Sequence, residues 1–224
     1  MRYAHHWLGD VACDYPLGKA VCVGRNYAAH AKELNNPIPT TPILFLKPAT
    51  SIVPLSPSIS IPGNRGECHH ELEVSLLIGE RLTNANEPDA LAAIAGGGLG
   101  LDLTLRDLQQ TLKNEGKPWE LAKAFDGALP LTNFIRRAQL QDLRELEFSL
   151  EVNGTVRQQG KTSEMLTPIP ALLAYISQHF TLMPGDIVMT GTPAGVAKLQ
   201  AGDRLVLRLL DQEFFTEVQV DERA

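Results

Sequence analysis

A chain of 224 residues with 44% hydrophobic and 21% charged residues and a mean hydropathy of −0.07 has enough apolar surface to fold around a core, which argues against long disorder and makes one domain the default. Its net charge of −6 and pI of about 5.5, with acids and bases interspersed, supply no basic stripe for a phosphate backbone. Nucleic acid is therefore disfavoured as a partner, while a small anion bound by locally clustered cations is not.

Residues 1–10 carry His and Trp where a secretory signal would carry a basic segment and then an apolar one. No apolar run approaches the roughly 20 residues that span a bilayer, so a cytoplasmic protein with no membrane partner is expected. Cys13, Cys22 and Cys68 are odd in number and lack CxxC spacing, which suits reduced thiols. Residues 1–17 read as a short extension ahead of a single catalytic domain, 18–224.

In chain order, residues 20–23 form a short apolar run broken at 24–27, and the Ala-rich stretch 28–34 has length for about two helical turns. Three prolines and two adjacent asparagines in 35–42 predict an irregular surface loop of the kind that flanks lids. Prolines at 48, 54, 57 and 62 divide the next apolar runs into brief strands. Residues 71–78 begin with alternating polarity and end fully apolar, so this strand starts at an open site and enters the core. Gly96, Gly97, Gly98 and Gly100 lack the GxGxxG spacing and no GK[ST] follows. They precede the run 101–105 and predict close backbone approach in a tightly packed strand, not a phosphate loop.

Residues 105–114 have helical periodicity, which Pro118 closes. Asn153-Gly154 between two alternating runs, 146–152 and 155–159, predicts a hairpin with a type I′ turn. A helix is expected over about 168–179 after start signals at Ser163 and Thr167, then a strand at 187–190 and a terminal hairpin from 205–210 and 213–220. Many short strands with about three helices, and no regular strand–helix alternation, predict a β-rich α+β fold.

Period-two alternation sends Glu71 and Glu73 to one face, roughly 7 Å apart. Two carboxylates entering the core repel one another unless a cation lies between them, and Asp102 sits in another apolar run. Three acids carried by core strands make most sense if they converge on one ion. Oxygen donors suit Mg²⁺ or Mn²⁺, with His69 and His70 keeping zinc as a minor alternative. His30 and Glu33 share a helical face, where the carboxylate can orient the imidazole as a general base. Arg106 and Gln109 share a face of the next helix and can reach a substrate carboxylate. Lys123, in an otherwise apolar segment, either snorkels to solvent or faces a developing anion; Lys47 reads the same way with less weight. Thr192, in a Gly-Thr-Pro turn, can offer a hydroxyl.

Five ordered blocks, Val23-Gly24-Arg25-Asn26-Tyr27 with His30, His69-His70-Glu71-Leu72-Glu73, Leu101-Asp102-Leu103-Thr104 with Arg106-Asp107, Ala122-Lys123-Ala124-Phe125-Asp126, and Thr190-Gly191-Thr192-Pro193 with Gly195-Val196, make the chain resemble the fumarylacetoacetate hydrolase family, in particular its short acylpyruvase branch. The resemblance covers about residues 18–220. It implies a mixed β-sandwich roll, a homodimer, and Mg²⁺ or Mn²⁺ on Glu71, Glu73 and Asp102. It also implies a lid carrying His30 and Glu33, with Lys123 and Thr192 on substrate and Arg25, Arg106 and Gln109 as carboxylate or oxyanion contacts. The glycine run before Asp102 departs from the bulkier, aromatic-containing stretch more usual there. The implied activity is hydrolysis of acylpyruvates (2,4-dioxo acids) to pyruvate and a carboxylic acid. The alternative is decarboxylation or keto–enol tautomerisation of oxaloacetate on the same metal site, and a non-catalytic metal-stabilised scaffold is a third reading.

Overall fold

The structure, a computed structural model, describes residues 3–140 and 142–222. The expected apolar strand forms as Leu72–Ile78 with all seven residues buried, the condition of a strand covered on both faces. It pairs antiparallel with Ile94–Leu101 on one side and Ile187–Met189 on the other. Beyond Ile187–Met189 lie Ala20–Gly24, parallel to it, and then Ile43–Lys47. Leu129–Leu131 and Ile52–Pro54 extend the opposite edge, giving an eight-stranded mixed sheet among the described residues once Ile135–Arg136 is included.

Alternation along Leu72–Ile78 sends Val74, Leu76 and Ile78 into one apolar cluster and Leu77 into another. A second, five-stranded sheet runs in spatial order Thr155–Lys161, Glu147–Val152, Arg204–Leu209, Gln212–Asp221, Ser58–Pro62. Its Leu150, Leu205, Leu207 and Val218 join the cluster of Val74 and Leu76, so the two sheets share one core. Helix Ile169–His179 adds Leu172, Leu173 and Ile176 to it. The protein has the β-rich α+β fold with a curled sheet that the strand pattern predicts. Both hairpins form as expected. Asn153 and Gly154 have φ of 52° and 80°, both positive as a type I′ turn requires.

Several boundaries differ from the expected ones. The glycine run lies in the strand Ile94–Leu101, the tightly packed strand expected of it, although that strand begins well before residue 101. A Cβ on Gly98 would meet Thr132 Oγ1 at 2.7 Å, and one on Gly100 would meet Leu131 and Met189 at 2.7 and 2.8 Å. Neighbouring chain therefore fills the space a side chain would need. Two helices lie outside the expected set. Glu87–Ala92 carries a readable start signal, because the Asn86 side chain accepts a hydrogen bond from Asp89 N and Pro88 sits in the first turn. Glu120–Lys123 is a single turn, too short to leave a periodicity. Helix Ile169–His179 opens after Pro168 with no side-chain cap from Ser163 or Thr167. Of residues 3–17, Trp7 is buried in the second apolar cluster with Phe134 and Ile187.

Candidate metal centre and its cationic cleft

The three acids meet where two paired strands end. Glu73 is the second residue of the strand Leu72–Ile78, opposite Gly100 of Ile94–Leu101. Asp102 follows that partner strand, and Glu71 occupies the one-residue break between Cys68–His70 and Leu72–Ile78. Asp102 N donates to Glu71 O at 2.8 Å, which closes the corner. One carboxylate oxygen from each residue lies within 4.8 Å of the others, and all three residues are buried.

Cations from three elements offset this charge. Lys123, at the end of helix Glu120–Lys123, donates to Glu71 Oε2 at 2.8 Å and to Asp102 Oδ2 at 2.6 Å. Arg106, opening helix Arg106–Asn114, donates to Glu71 Oε1 at 2.5 Å and to Gln109 Oε1 at 2.8 Å. The Arg106–Gln109 pair expected to face substrate is thus partly committed to Glu71. Lys47, wholly buried at the end of an edge strand, places Nζ 2.8 Å from Asp102 Oδ1 and donates to the carbonyls of Lys123 and Ala128. It is a part of the site to which the sequence alone gives little weight.

The compensation is uneven. Burial raises the Glu71 pKa, but Lys123, Arg106 and His30 outweigh it and hold the carboxyl below its usual range. Glu73 accepts one hydrogen bond, from Gly191 N at 2.7 Å, and pairs with no cation among the described residues. Burial and then Asp102 push its pKa well up. Asp102 Oδ1 lies within Coulombic range of Lys47 yet accepts no aligned hydrogen bond. A buried carboxylate oxygen without a donor, beside a carboxyl with no cation, fits a divalent ion, and three hard oxygens fit Mg²⁺ or Mn²⁺. Neither neighbouring imidazole belongs to the cluster: His69 pairs with Glu67 at the surface and His70 with Gln158. The zinc alternative therefore has no nitrogen donor here.

A second wall faces the acids. His30 Nδ1 lies 3.2 Å from Glu33 Oε2, one turn on in helix Ala28–Glu33, and Glu33 Oε1 accepts from Gly195 N at 2.9 Å. His30 is buried, and burial lowers its pKa despite Glu71 and Glu33. The imidazole is thereby a neutral base with Nε2 free. Thr192 is set by Gln158, a buried residue that no motif reveals. Gln158 Oε1 accepts from Leu72 N at 2.9 Å, so its Nε2 is the donor to Thr192 Oγ1 at 2.8 Å. The hydroxyl, which accepts from Gln158, keeps its own proton available as a donor in the cleft it lines.

The cleft also takes in the buried Phe45 and the partly exposed Arg25, Lys113 and Trp119 at its mouth. Its empty volume is about 400 Å³ with the open mouth included. Arg25 has φ of 61°, a left-handed conformation that costs a non-glycine residue about 1–2 kcal/mol. No helix among the described residues is long and apolar enough to cross a membrane.

Comparison with known proteins agrees with this arrangement. The chain is 48% identical over 218 residues to oxaloacetate tautomerase YcgM of Escherichia coli (strain K12), covering 96% of this chain and 99% of that protein. It is 41% identical over 185 residues to the mitochondrial oxaloacetate tautomerase FAHD1 of Bos taurus, covering 83% and 84% of the two chains. The crystal structure of fumarylpyruvate hydrolase from Pseudomonas aeruginosa in complex with Mn²⁺ and pyruvate superposes with a TM-score of 0.90 at 33% identity, covering 98% of this chain and 97% of that one. Residues 19–219 match the family described as fumarylacetoacetate (FAA) hydrolase C-terminal, and the chain belongs to that family.

Proposed function

We propose that this protein interconverts the keto and enol forms of oxaloacetate, using Mg²⁺ or Mn²⁺ held by Glu71, Glu73 and Asp102. The observation that carries this reading is a buried, neutral His30 oriented by Glu33 across one cleft from three carboxylates and Lys123. The similarity to two oxaloacetate tautomerases supports it over the acylpyruvate hydrolysis that the motifs first suggest.

A divalent ion in the acidic site supplies Lewis-acid polarisation of the 2-oxo group. His30 Nε2 takes a proton from C3, and the electron pair left behind forms the C2–C3 double bond while charge moves to the 2-oxygen. Glu33 holds the imidazole in the required tautomer. Lys123 stays an ammonium, because Asp102 and Glu71 outweigh burial and hold its pKa up. Together with the Thr192 hydroxyl it stabilises the developing charge until the oxygen takes up the proton that His30 carries, which returns the imidazole to its neutral form. Return of the proton to C3 runs the same steps backwards.

Acylpyruvate hydrolysis is the second reading, favoured by the likeness to fumarylpyruvate hydrolase. The two part on products. Mixed with oxaloacetate enol and Mg²⁺, a tautomerase speeds the decay of enol absorbance without releasing pyruvate or CO₂, and EDTA removes the effect. Pyruvate with CO₂ would assign decarboxylation, and pyruvate with a carboxylic acid from acetylpyruvate or fumarylpyruvate would assign hydrolysis.

A further inference from the structure

Once the floor of the cleft is neutralised, two cations remain. Arg106 is committed to Glu71, Lys123 to Glu71 and Asp102, and Lys47 to Asp102. Arg25 and Lys113 line the same cleft and make no hydrogen bond or ion pair among the described residues. Lys113, in the last turn of helix Arg106–Asn114, sets Nζ 5.3 Å from the centre of the Trp119 ring. Trp119 stands 6.2 Å from Phe45, and Lys123 Nζ lies 5.2 Å from Phe45 in turn. The two rings therefore form a continuous wall with an ammonium at the floor and another at the rim. A lysine on an ordinary helix face extends into water. This one is drawn over an aromatic platform among like charges, and burial, then Arg25, Arg106 and Lys123, lower its pKa to about 8.

We propose that Lys113 is the contact for the second carboxylate of a dicarboxylic 2-oxo acid whose 2-oxo-acid end sits on the floor, and that this contact selects dicarboxylates over monocarboxylates. The inference rests on the tautomerase reading and names what sets its substrate class. Oxaloacetate brings two carboxylates. Glu71 and Asp102 already engage the floor cations, so a carboxylate projecting toward the mouth finds its uncommitted partners at the rim. Trp119 fixes the lysine stem, which reduces the freedom lost on binding.

The test is Lys113→Met, which keeps the stem and loses the charge, beside Lys113→Arg, which keeps the charge. KM and kcat for oxaloacetate are measured together with inhibition by oxalate, a dianion too short to span floor and rim. Loss of a charge-assisted contact predicts KM raised about 10- to 100-fold, kcat changed little, oxalate inhibition unchanged, and recovery in Lys113→Arg. An unchanged KM, or KM and oxalate inhibition weakening in step, overturns the proposal. The second pattern would mean that Lys113 sets only the general potential of the cleft. If Lys113→Met fails to fold, the wild-type pH profile decides. The groups facing Lys113 are Arg25, Arg106 and Lys123, which push its pKa down, and Glu71, which pulls it up. KM for oxaloacetate should rise above about pH 8 as the ammonium is lost, while oxalate inhibition stays flat. A flat KM refutes the contact. A wild-type enzyme with no effect on oxaloacetate enol would instead remove the tautomerase reading itself.

Discussion

The floor and the rim of the cleft are built on opposite principles. On the floor, Glu71 and Asp102 meet Lys47, Lys123 and Arg106 at 2.5–2.8 Å, Glu73 beside them has only a backbone donor, and the strand Leu72–Ile78 beneath is buried on both faces. At the rim, Arg25 and Lys113 pair with no anion among the described residues, and Arg25 sits in a left-handed backbone conformation. Buried charge on the floor is tolerable where partners are built in, as they are for Glu71 and Asp102, so that region doubles as structure. Charge at the rim is kept free, which costs stability but leaves it available to a ligand.

Breaking the floor should have the largest effect. Asp102→Ala removes a proposed metal ligand and leaves the Lys47 and Lys123 ammoniums short of their shared partner. We expect no detectable turnover, loss of Mn²⁺ binding by titration calorimetry, and a fall in unfolding free energy of about 3–5 kcal/mol by urea denaturation. Glu73→Gln should separate the two roles of the floor. It too should abolish metal binding, but it removes the one carboxyl without a cation. In EDTA the variant should be about 1 kcal/mol more stable than wild type at neutral pH. The sign follows from the raised Glu73 pKa: in metal-free protein, stability falls as pH climbs above the unfolded value of 4.5, and Glu73→Gln flattens that slope. Equal destabilisation by both variants would show that the floor is not unevenly compensated.

Removing the base between floor and rim should be milder. His30→Ala is expected to lower kcat about 10²–10⁴-fold with Mn²⁺ affinity retained. The acid limb of wild-type kcat/KM should fall below the ordinary imidazole value of 6.5, because burial lowers the His30 pKa and the base is lost only as pH drops through it. A limb above 6.5 would argue that another group takes the proton.

This contrast also explains what the sequence discloses. Glu71 and Glu73 are legible because strand alternation and an apolar continuation leave a carboxylate pair few places to go, and Asp102 stands out as an acid in an apolar run. Lys47 is not legible, since one lysine among Phe45, Leu46 and Pro48 looks like a snorkelling side chain until strand order brings it to Asp102. Gln158 is hidden by a bulge. The register of its hairpin shifts between Leu150 and Glu151, which turns Val156 outward, 54% exposed, and Gln158 inward, 1% exposed. Alternation read straight through that strand gives no such reversal. The choice of reaction was equally hidden, because hydrolase and tautomerase use the same acids and the same base.

The smallest expected effect probes the strain at the rim. Arg25→Ala and Arg25→Gly both delete the guanidinium, so both should weaken oxaloacetate binding to the same degree. They differ in the backbone. Alanine keeps a Cβ at φ of 61°, whereas glycine adopts that conformation without penalty. The glycine variant should therefore be more stable than the alanine variant by about 1 kcal/mol, or about 2–4 °C in Tm for a chain of this length. Equal melting temperatures with equal KM would mean that the position carries no strain and that the arginine is held out over the cleft by nothing but its own rotamer. A stability gap with matched KM would show that the fold gives up stability at one residue to keep a cation pointed at the substrate.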